Sequence, residues 1–143
     1  YKPESHFKQL SVQKVTLNEL LKISDVISVN CNLTDETLHI LNTATFSKMG
    51  KKPIIINTSR GETIDEKALL QALNSGIIHS AGLDVYENEP TTEAQKELIN
   101  HPRTICTGHY AWYSDYAAIE LQKRAAQNLF NFLTGKEVED CLN

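Results

Sequence analysis

The sequence predicts an α/β fold in which a doubly wound parallel β-sheet is covered by helices. Short β-branched and apolar runs alternate along the chain with amphipathic stretches, which is the pattern of strands joined by crossover helices. The connections between these segments are short, as is typical of parallel sheets that their helices bury. The 143 residues are also the size of one domain, so we expect a single hydrophobic core.

Four apolar runs predict the strands of this sheet, and a fifth run is a weaker candidate. The four are residues 25–31, 53–57, 77–83 and 104–107, of which the isoleucine-rich run 53–57 is the clearest. We expect the run 25–31 to be a buried strand because it is β-branched and polar residues bound it. Residues 12–15 form a possible short strand that precedes the others.

Helix-start patterns lie between the predicted strands. Thr16 and Glu19 form a capping box, in which each side chain bonds the backbone of the other residue, and a helix should begin directly after Thr16. Thr63 and Glu66 form a second box, which predicts a helix that Gly76 ends. Two further short helices are predicted at residues 34–41 and 43–49.

The last predicted element is one long helix that runs from about residue 114 to 133. No internal repeat, linker or low-complexity segment interrupts the chain before it. Its apolar residues recur at helical spacing and predict a buried stripe that consists of Ala118, Leu121, Ala125, Leu129 and Phe132.

Composition and charge argue against several classes of partner. The chain carries 14 Lys and Arg against 18 Asp and Glu, a net charge of −4, whereas a nucleic-acid binder normally presents a basic face. No apolar run approaches the roughly 20 residues of a membrane span, and no basic cluster suggests a membrane surface. We therefore expect neither a nucleic acid nor a membrane as a partner.

The three cysteines indicate a reducing compartment. Cys31, Cys106 and Cys141 are odd in number, widely spaced and contain no CxxC pair. This spacing predicts neither a disulfide framework nor a metal site. The expected location is the cytoplasm.

Polar residues collect directly after the predicted strands. In parallel α/β sheets, ligands bind beyond the carboxyl ends of the strands. The site is therefore expected among residues 30–33, 58–61, 84–90 and 108–113.

Three residues at these strand ends could carry chemistry together. Arg60 offers a planar donor fork that suits a carboxylate, and Gly61 permits the turn that would aim it. His109 is a candidate acid/base group, and a carboxylate such as Glu89 beside it would favour the protonated imidazole. Each signal alone fits a surface arginine, a solvated acidic loop or a structural histidine, but their order places all three at one edge of the sheet. The other histidines lack such an arrangement: His6, His39, His79 and His101.

Three segments in this order resemble the D-isomer-specific 2-hydroxyacid dehydrogenases. They are INTSRG at residues 56–61, AGLDVYENEP at residues 81–90 and HYAWYS at residues 109–114. The resemblance extends from Leu17 to the end of the chain. It implies a parent enzyme that transfers a hydride between NAD(P)H and a small 2-oxo or 2-hydroxy acid, and that forms a homodimer.

The resemblance also implies roles for individual residues. Arg60 would bind the substrate carboxylate and keto oxygen, His109 would donate the proton, and Glu89 would hold His109. Asp84 would contact the nicotinamide carboxamide or its ribose. Together, the residues implied to contact the cofactor are Cys31, Asn32, Thr37, Thr58, Ser59, Asp84 and His109.

Three departures from the family pattern are relevant. The family has proline where Gly108 precedes the histidine, and a glycine should loosen that loop. No two of the six glycines are close enough for a GxGxxG motif, so the loop that cradles a pyrophosphate is missing. Lys2 near the expected end of the second strand would suit a 2′-phosphate, which makes NADP an alternative to NAD.

These departures predict an incomplete doubly wound, Rossmann-like sheet that lacks its first βα unit. Residues 1–143 would be the C-terminal portion of a dinucleotide-binding domain, with the last 15 or so returning toward an absent substrate domain. Residues 12–15 would then be detached or misplaced, or would pair with another molecule. We expect the isolated chain to be inactive.

Two other readings of the motifs are open at this point. One is a corepressor-like module that senses a dinucleotide and whose purpose is to bind partners. The other is a structural α/β domain with coincidental motifs, which predicts that Arg60, Glu89 and His109 lie scattered in space.

Overall fold

A computed structural model describes Phe7, Leu10 and residues 12–138 of the chain. It divides into two compact units, residues 1–109 and residues 110–143. Lys2, on which the NADP alternative depends, lies outside the described residues, as do residues 139–143.

The first unit is built on a four-stranded, fully parallel sheet. Its strands are β1 (Val26–Val29), β2 (Ile54–Asn57), β3 (Ser80–Leu83) and β4 (Thr104–Cys106), which lie side by side in chain order. This arrangement confirms the predicted α/β class with a parallel, Rossmann-like sheet.

The register of the sheet brings all four strand ends to one level. Val29 pairs with Asn57, Asn57 with Leu83, and Leu83 with Cys106. These are the last residues of their strands. The loops that follow the strands therefore begin side by side along one edge of the sheet.

Short helices connect the strands of this unit. The Thr16–Glu19 capping box is present, with the Thr16 N–H donating to Glu19 Oε2 at 2.9 Å. Gly76 takes a φ of +72°, which confirms that it ends the helix that precedes β3. The helices are α1 (Leu17–Ile23), α2 (Thr43–Phe46), α3 (Glu66–Asn74) and α4 (Lys96–Ile99), with 3₁₀ turns at Gly61–Thr63 and Glu93–Gln95.

The core lies against one face of the sheet. Alternate strand residues, such as Val29 and Ile55, are buried against Leu21, Phe46 and Leu69 from the helices. Ile55 has no exposed surface, and burial of such a side chain stabilises the fold by about 1.5–3 kcal/mol. The opposite face exposes large apolar side chains: Val26, Ile54, Ile56 and Ile105.

The predicted helix at residues 34–41 is wrong, because this segment forms hydrogen-bonded turns. Leu38 N–H donates to the Thr34 carbonyl, but His39 then takes a φ of +48°, which a continuing helix does not allow. Leu41 instead pairs with Ile64 in an isolated parallel bridge. The apolar residues of this segment are spaced as in a helix, but they belong to a hydrogen-bonded turn and a β-bridge.

The capping box predicted for α3 is also misplaced. Asp65 caps the helix by accepting a hydrogen bond from the Ala68 N–H at 3.0 Å. Thr63 is buried in the 3₁₀ turn, where its hydroxyl donates to the Arg60 carbonyl at 2.6 Å. The threonine thus serves the loop that carries Arg60 and not the helix.

Two strand predictions are corrected by the structure. Residues 12–15 form no strand. The run 77–83 becomes a strand only at Ser80, because the N–H groups of Ile77 and Ile78 donate to the carbonyl of Ala72 at the end of α3. The last carbonyl groups of a helix have no partner within the helix and accept hydrogen bonds from nearby N–H groups. Ile77 and Ile78 therefore bond to the end of α3 before the chain enters β3.

The second unit contains the long helix α5 (Asp115–Leu133), with Ser114 as its N-cap. The buried stripe predicted on it is wrong, because no residue of the helix is buried. Leu121, Leu129 and Phe132 are 61%, 60% and 73% exposed. Helical spacing indicates which side of a helix is apolar, but it carries no information on what covers that side. Among the described residues, no helix has the length and apolar character needed to cross a bilayer.

Candidate active site

The turn that carries Arg60 is organised by one buried amide. Asn57, 1% exposed at the end of β2, donates from Nδ2 to the Arg60 carbonyl at 2.9 Å and to Thr63 Oγ1 at 3.2 Å. Its Oδ1 accepts from the Ser59 N–H at 3.1 Å. A buried side-chain amide with its groups paired in this way holds the backbone of the turn in one conformation.

Gly61 lets this turn touch the loop that follows β3. A Cβ on Gly61 would lie 1.9 Å from the carbonyl carbon of Tyr86 and 2.4 Å from the nitrogen of Glu87. The Tyr86–Glu87 peptide therefore packs directly on the glycine backbone, at a separation that no side chain permits. This contact sets Arg60 beside the loop that contains Glu89.

Glu89 and His109 form a hydrogen-bonded pair. The Nδ1 atom of His109 lies 2.7 Å from Oε2 of Glu89, and the other carboxylate oxygen accepts from the Tyr86 N–H at 3.0 Å. An ionised carboxylate has no proton to donate, so Nδ1 carries the hydrogen. Nε2 is then the nitrogen that can exchange a proton with a ligand.

The environment of Glu89 favours its charged form. Burial raises the pKa of this carboxyl, but the hydrogen bonds from His109 and from the Tyr86 N–H, with the positive charge of His109, outweigh it. The net result is a pKa of Glu89 below its ordinary value. The carboxylate therefore stays ionised down to pH values below the ordinary pKa of glutamate.

We expect the Glu89 carboxyl to titrate below the ordinary pKa of glutamate, and His109→Ala to raise that pKa because burial then acts without the imidazole. A folded-state pKa below the unfolded value means that the carboxylate stabilises the fold above about pH 4.3. This contribution is lost as the pH falls through the folded-state pKa. Carbon-13 NMR of the Glu89 carboxyl measures both effects.

The Glu19 carboxyl serves as the internal reference for this titration. Its hydrogen bonds come from Thr16, so its titration should be the same in the native chain and in the His109→Ala variant. A Glu89 pKa that does not change in the variant would contradict the pairing.

Arg60, Glu89 and His109 line a single cavity of about 570 Å³. Gly61 and Tyr86 are among the other residues that line it. The reading in which the three residues are scattered is therefore wrong. A cation, an ionised carboxylate and an imidazole around one volume form a constellation that can bind a small anion and move a proton to it.

A second cavity, of about 340 Å³, lies at the ends of β1 and β2 and shares Arg60 with the first. Four of the residues implied to contact the cofactor line it: Cys31, Asn32, Thr58 and Ser59. Its amide and hydroxyl groups can donate to and accept from the ribose and carboxamide groups of a dinucleotide, so the residues present fit part of such a ligand.

Thr37 and Asp84 do not line either cavity. The Thr37 hydroxyl donates to the Asn32 carbonyl at 2.6 Å, which supports the loop along the second cavity. Asp84 is 4% exposed and accepts a hydrogen bond from the Thr107 hydroxyl. Their direct contacts with a cofactor stay predictions.

The sequence pattern predicts no role for His39, but the structure places it beside this site. Its Nε2 lies 3.1 Å from Oε1 of Glu87. The Glu87 N–H donates to Oε1 of Glu66, at the start of α3, at 2.9 Å. The Glu66 N–H donates in return to Oε1 of Glu87 at 3.1 Å. The loop that carries Glu89 is thus tied to two further segments. In the part of the chain that the structure describes, no group of three or more His, Cys, Asp or Glu is arranged to hold a metal ion.

The parallel sheet defines an α/β domain of the Rossmann-like kind, in which ligands bind at the edge where Arg60, Glu89 and His109 line one cavity. Residues 1–111 match the family model of the D-isomer specific 2-hydroxyacid dehydrogenase, NAD binding domain. The chain belongs to this family, and its cofactor is NAD.

Individual relatives agree with this assignment. The chain is 36% identical to glyoxylate/hydroxypyruvate reductase B of Serratia proteamaculans over 95% of its own length and 42% of that protein. It is 50% identical to 4-methyl-2-oxopentanoate reductase A of Aspergillus oryzae over 66% of its length and 28% of that protein. The apo-structure of D-lactate dehydrogenase from Escherichia coli superposes with a TM-score of 0.85 at 37% identity, covering 99% of this chain and 44% of that one. The chain thus spans less than half the length of these relatives.

Proposed function

We propose that this chain is the NAD-binding portion of an oxidoreductase that interconverts a small 2-oxo acid and the corresponding D-2-hydroxy acid. The observation that carries the proposal is the single cavity lined by Arg60, Glu89 and His109. The relatives support it, because they are named as reductases or dehydrogenases of small oxo and hydroxy acids.

Arg60 is proposed to bind the carboxylate and the keto oxygen of the oxo acid. Its Nη1 donates to the Ser59 carbonyl at 2.7 Å, which orients the guanidinium and leaves its other N–H groups for a ligand. A planar donor fork recognises a carboxylate through two parallel hydrogen bonds. The buried Asn57 amide fixes the backbone behind it.

His109 is proposed to donate the proton that turns the keto oxygen into a hydroxyl. NAD, in its reduced form, supplies the hydride that reaches the carbonyl carbon. The His109 Nε2 proton passes to the oxygen, and the imidazole becomes neutral with its hydrogen on Nδ1. Glu89 keeps that hydrogen on Nδ1 at 2.7 Å and stabilises the protonated imidazole before transfer.

The cofactor is proposed to contact Cys31, Asn32, Thr58 and Ser59, which line the cavity shared with Arg60. Thr37 supports this surface through its bond to the Asn32 carbonyl, and contacts of Thr37, Asp84 and His109 with the cofactor stay predictions. NAD is the cofactor that the family description names, and NADP, which depends on Lys2, stays a prediction. The homodimer, the cytoplasmic location and the return of the last residues toward a substrate domain stay predictions.

The role of Arg60 is tested by Arg60→Gln in the protein expressed from its complete reading frame. The KM for a 2-oxo acid should rise by about 10- to 100-fold, since a charge-assisted hydrogen bond contributes about 1.5–3 kcal/mol. NADH oxidation with pyruvate, glyoxylate, hydroxypyruvate and 4-methyl-2-oxopentanoate provides the measurement. The dissociation constant of NADH should change far less.

The surface variant Lys96→Gln is the matched control, because among the described residues its ammonium pairs only with Glu93 on an exposed helix turn. An Arg60→Gln protein with an unchanged KM would contradict the proposal. A native protein that binds NADH and reduces no 2-oxo acid would instead support the dinucleotide-sensing module.

A further inference from the structure

We propose that Tyr86 is a positioning residue that fixes the separation of Glu89 and His109 by bonding to the segments that carry both. This inference rests on the proposed function, because the pair matters for proton transfer only if the reaction occurs there. Tyr86 lies in the loop after β3 and is 8% exposed. Two groups of this residue are involved. Its backbone N–H bonds to the Glu89 carboxylate, and its phenol bonds to the segment that precedes His109.

The backbone of Tyr86 holds the carboxylate. Its N–H donates to Oε1 of Glu89 at 3.0 Å, while Oε2 lies 2.7 Å from Nδ1 of His109. Each carboxylate oxygen therefore has a different partner. The position of the carboxylate is set by the place of the Tyr86 backbone.

The phenol of Tyr86 holds the strand that carries the histidine. Its hydroxyl donates to the Thr107 carbonyl at 2.9 Å, with the Leu83 carbonyl at 3.4 Å as a second acceptor. Thr107 directly follows β4 and stands two residues before His109. The hydroxyl thus links the loop of Glu89 to the start of the loop of His109.

Two further hydrogen bonds fix the position of Thr107. Its N–H donates to the Leu83 carbonyl at 2.9 Å, and its hydroxyl donates to Asp84. Beyond it, Gly108 is conformationally permissive and His109 takes a φ of +63°. His109 is joined to Thr107 through Gly108 alone, so the position of Thr107 limits the distance between His109 and Glu89.

The phenol is suited to this role. Burial raises the pKa of the Tyr86 hydroxyl, and the neighbouring Cys106 raises it further, so the group remains a protonated donor. Tyr86 also lines the cavity shared by Arg60, Glu89 and His109. Misplacement of a catalytic group by about 1 Å can cost about 100-fold in rate.

Tyr86→Phe tests the inference, because it removes the hydroxyl and keeps the ring and the backbone N–H. In the protein expressed from its complete reading frame, kcat should fall about 5- to 30-fold, as expected for loss of one buried hydrogen bond, while KM changes by less than about twofold. In the 143-residue chain, the Glu89 titration followed by carbon-13 NMR should shift toward the ordinary pKa of glutamate.

Tyr116→Phe is the matched control, since Tyr116 is 76% exposed on α5 and neither measurement should change. A Tyr86→Phe protein with native kcat and native Glu89 titration would overturn the inference. A Tyr86→Phe protein that is less stable but keeps the native Glu89 titration would also overturn the inference, because that result indicates a tyrosine with a structural role only. If the native protein has no turnover but the titration still shifts, the proposed function fails and the positioning role stands.

Discussion

Gly61→Ala is expected to destabilise the first unit by about 3 kcal/mol or more and to separate Arg60 from the Glu89–His109 pair. The new Cβ would fall 1.9 Å from the Tyr86 carbonyl carbon and 2.1 Å from its oxygen. Both are backbone atoms, so no side-chain rotation relieves the overlap. The loop after β3 must move away as a unit, and Glu89 moves with it.

Denaturant unfolding of the 143-residue chain measures this effect, with Gly82→Ala as the control. A Cβ on Gly82 would lie 4.0 Å from its nearest neighbour, a side-chain carbon of Ile56, which is an ordinary contact. The control should unfold at or above the native midpoint. Equal midpoints for Gly61→Ala and the native chain would contradict the backbone contact described here.

His109→Gln is expected to lower kcat by about 10²- to 10⁴-fold in the protein expressed from its complete reading frame. Glutamine can still hydrogen-bond to Glu89, but it has no titratable proton to deliver to the keto oxygen. KM for the oxo acid should change little, because Arg60 carries substrate binding in this account.

Rates of NADH oxidation under saturating oxo acid measure this loss, and His79→Gln is the control. The His79 ring contacts only the neighbouring Ser80 hydroxyl among the hydrogen bonds described, and it lines none of the cavities of the site. A His109→Gln protein that retains native kcat would contradict the assignment of the proton donor.

The sequence predicts the arrangement of the sheet well for a physical reason. Runs such as Ile54–Asn57 have β-branched residues that suit a buried strand, and their side chains do alternate between core and surface. Arg60, Glu89 and His109 follow three neighbouring strands, so a parallel sheet necessarily brings their loops to one edge. That edge is where they line one cavity.

What the sequence misses depends on contacts between distant segments. The pattern cannot tell that Thr63 bonds the Arg60 carbonyl while Asp65 caps α3, since both threonine and aspartate cap helices well. Nor does spacing reveal that Gly61 lies under the Tyr86 peptide. The positive φ of His39 is likewise set by its loop and not by its residue type.

The apolar side of α5 illustrates a second limit. The spacing of Leu121, Leu129 and Phe132 defines one side of a helix, yet these residues are largely exposed in the described chain. Periodicity reports the direction of an apolar surface, and burial requires a covering element that periodicity does not describe.

A paired turnover measurement tests whether Arg60, Glu89 and His109 form one site for a 2-oxo acid. NADH oxidation is followed with the four 2-oxo acids, using both the protein expressed from its complete reading frame and the 143-residue chain, and the handedness of the product is determined. We expect turnover to a D-2-hydroxy acid by the protein from the complete reading frame and none by the 143-residue chain. If the protein from the complete reading frame reduced none of the four oxo acids, or gave an L-product, the proposed 2-oxo acid site would be contradicted. Turnover by the 143-residue chain would contradict the expected dependence on further residues.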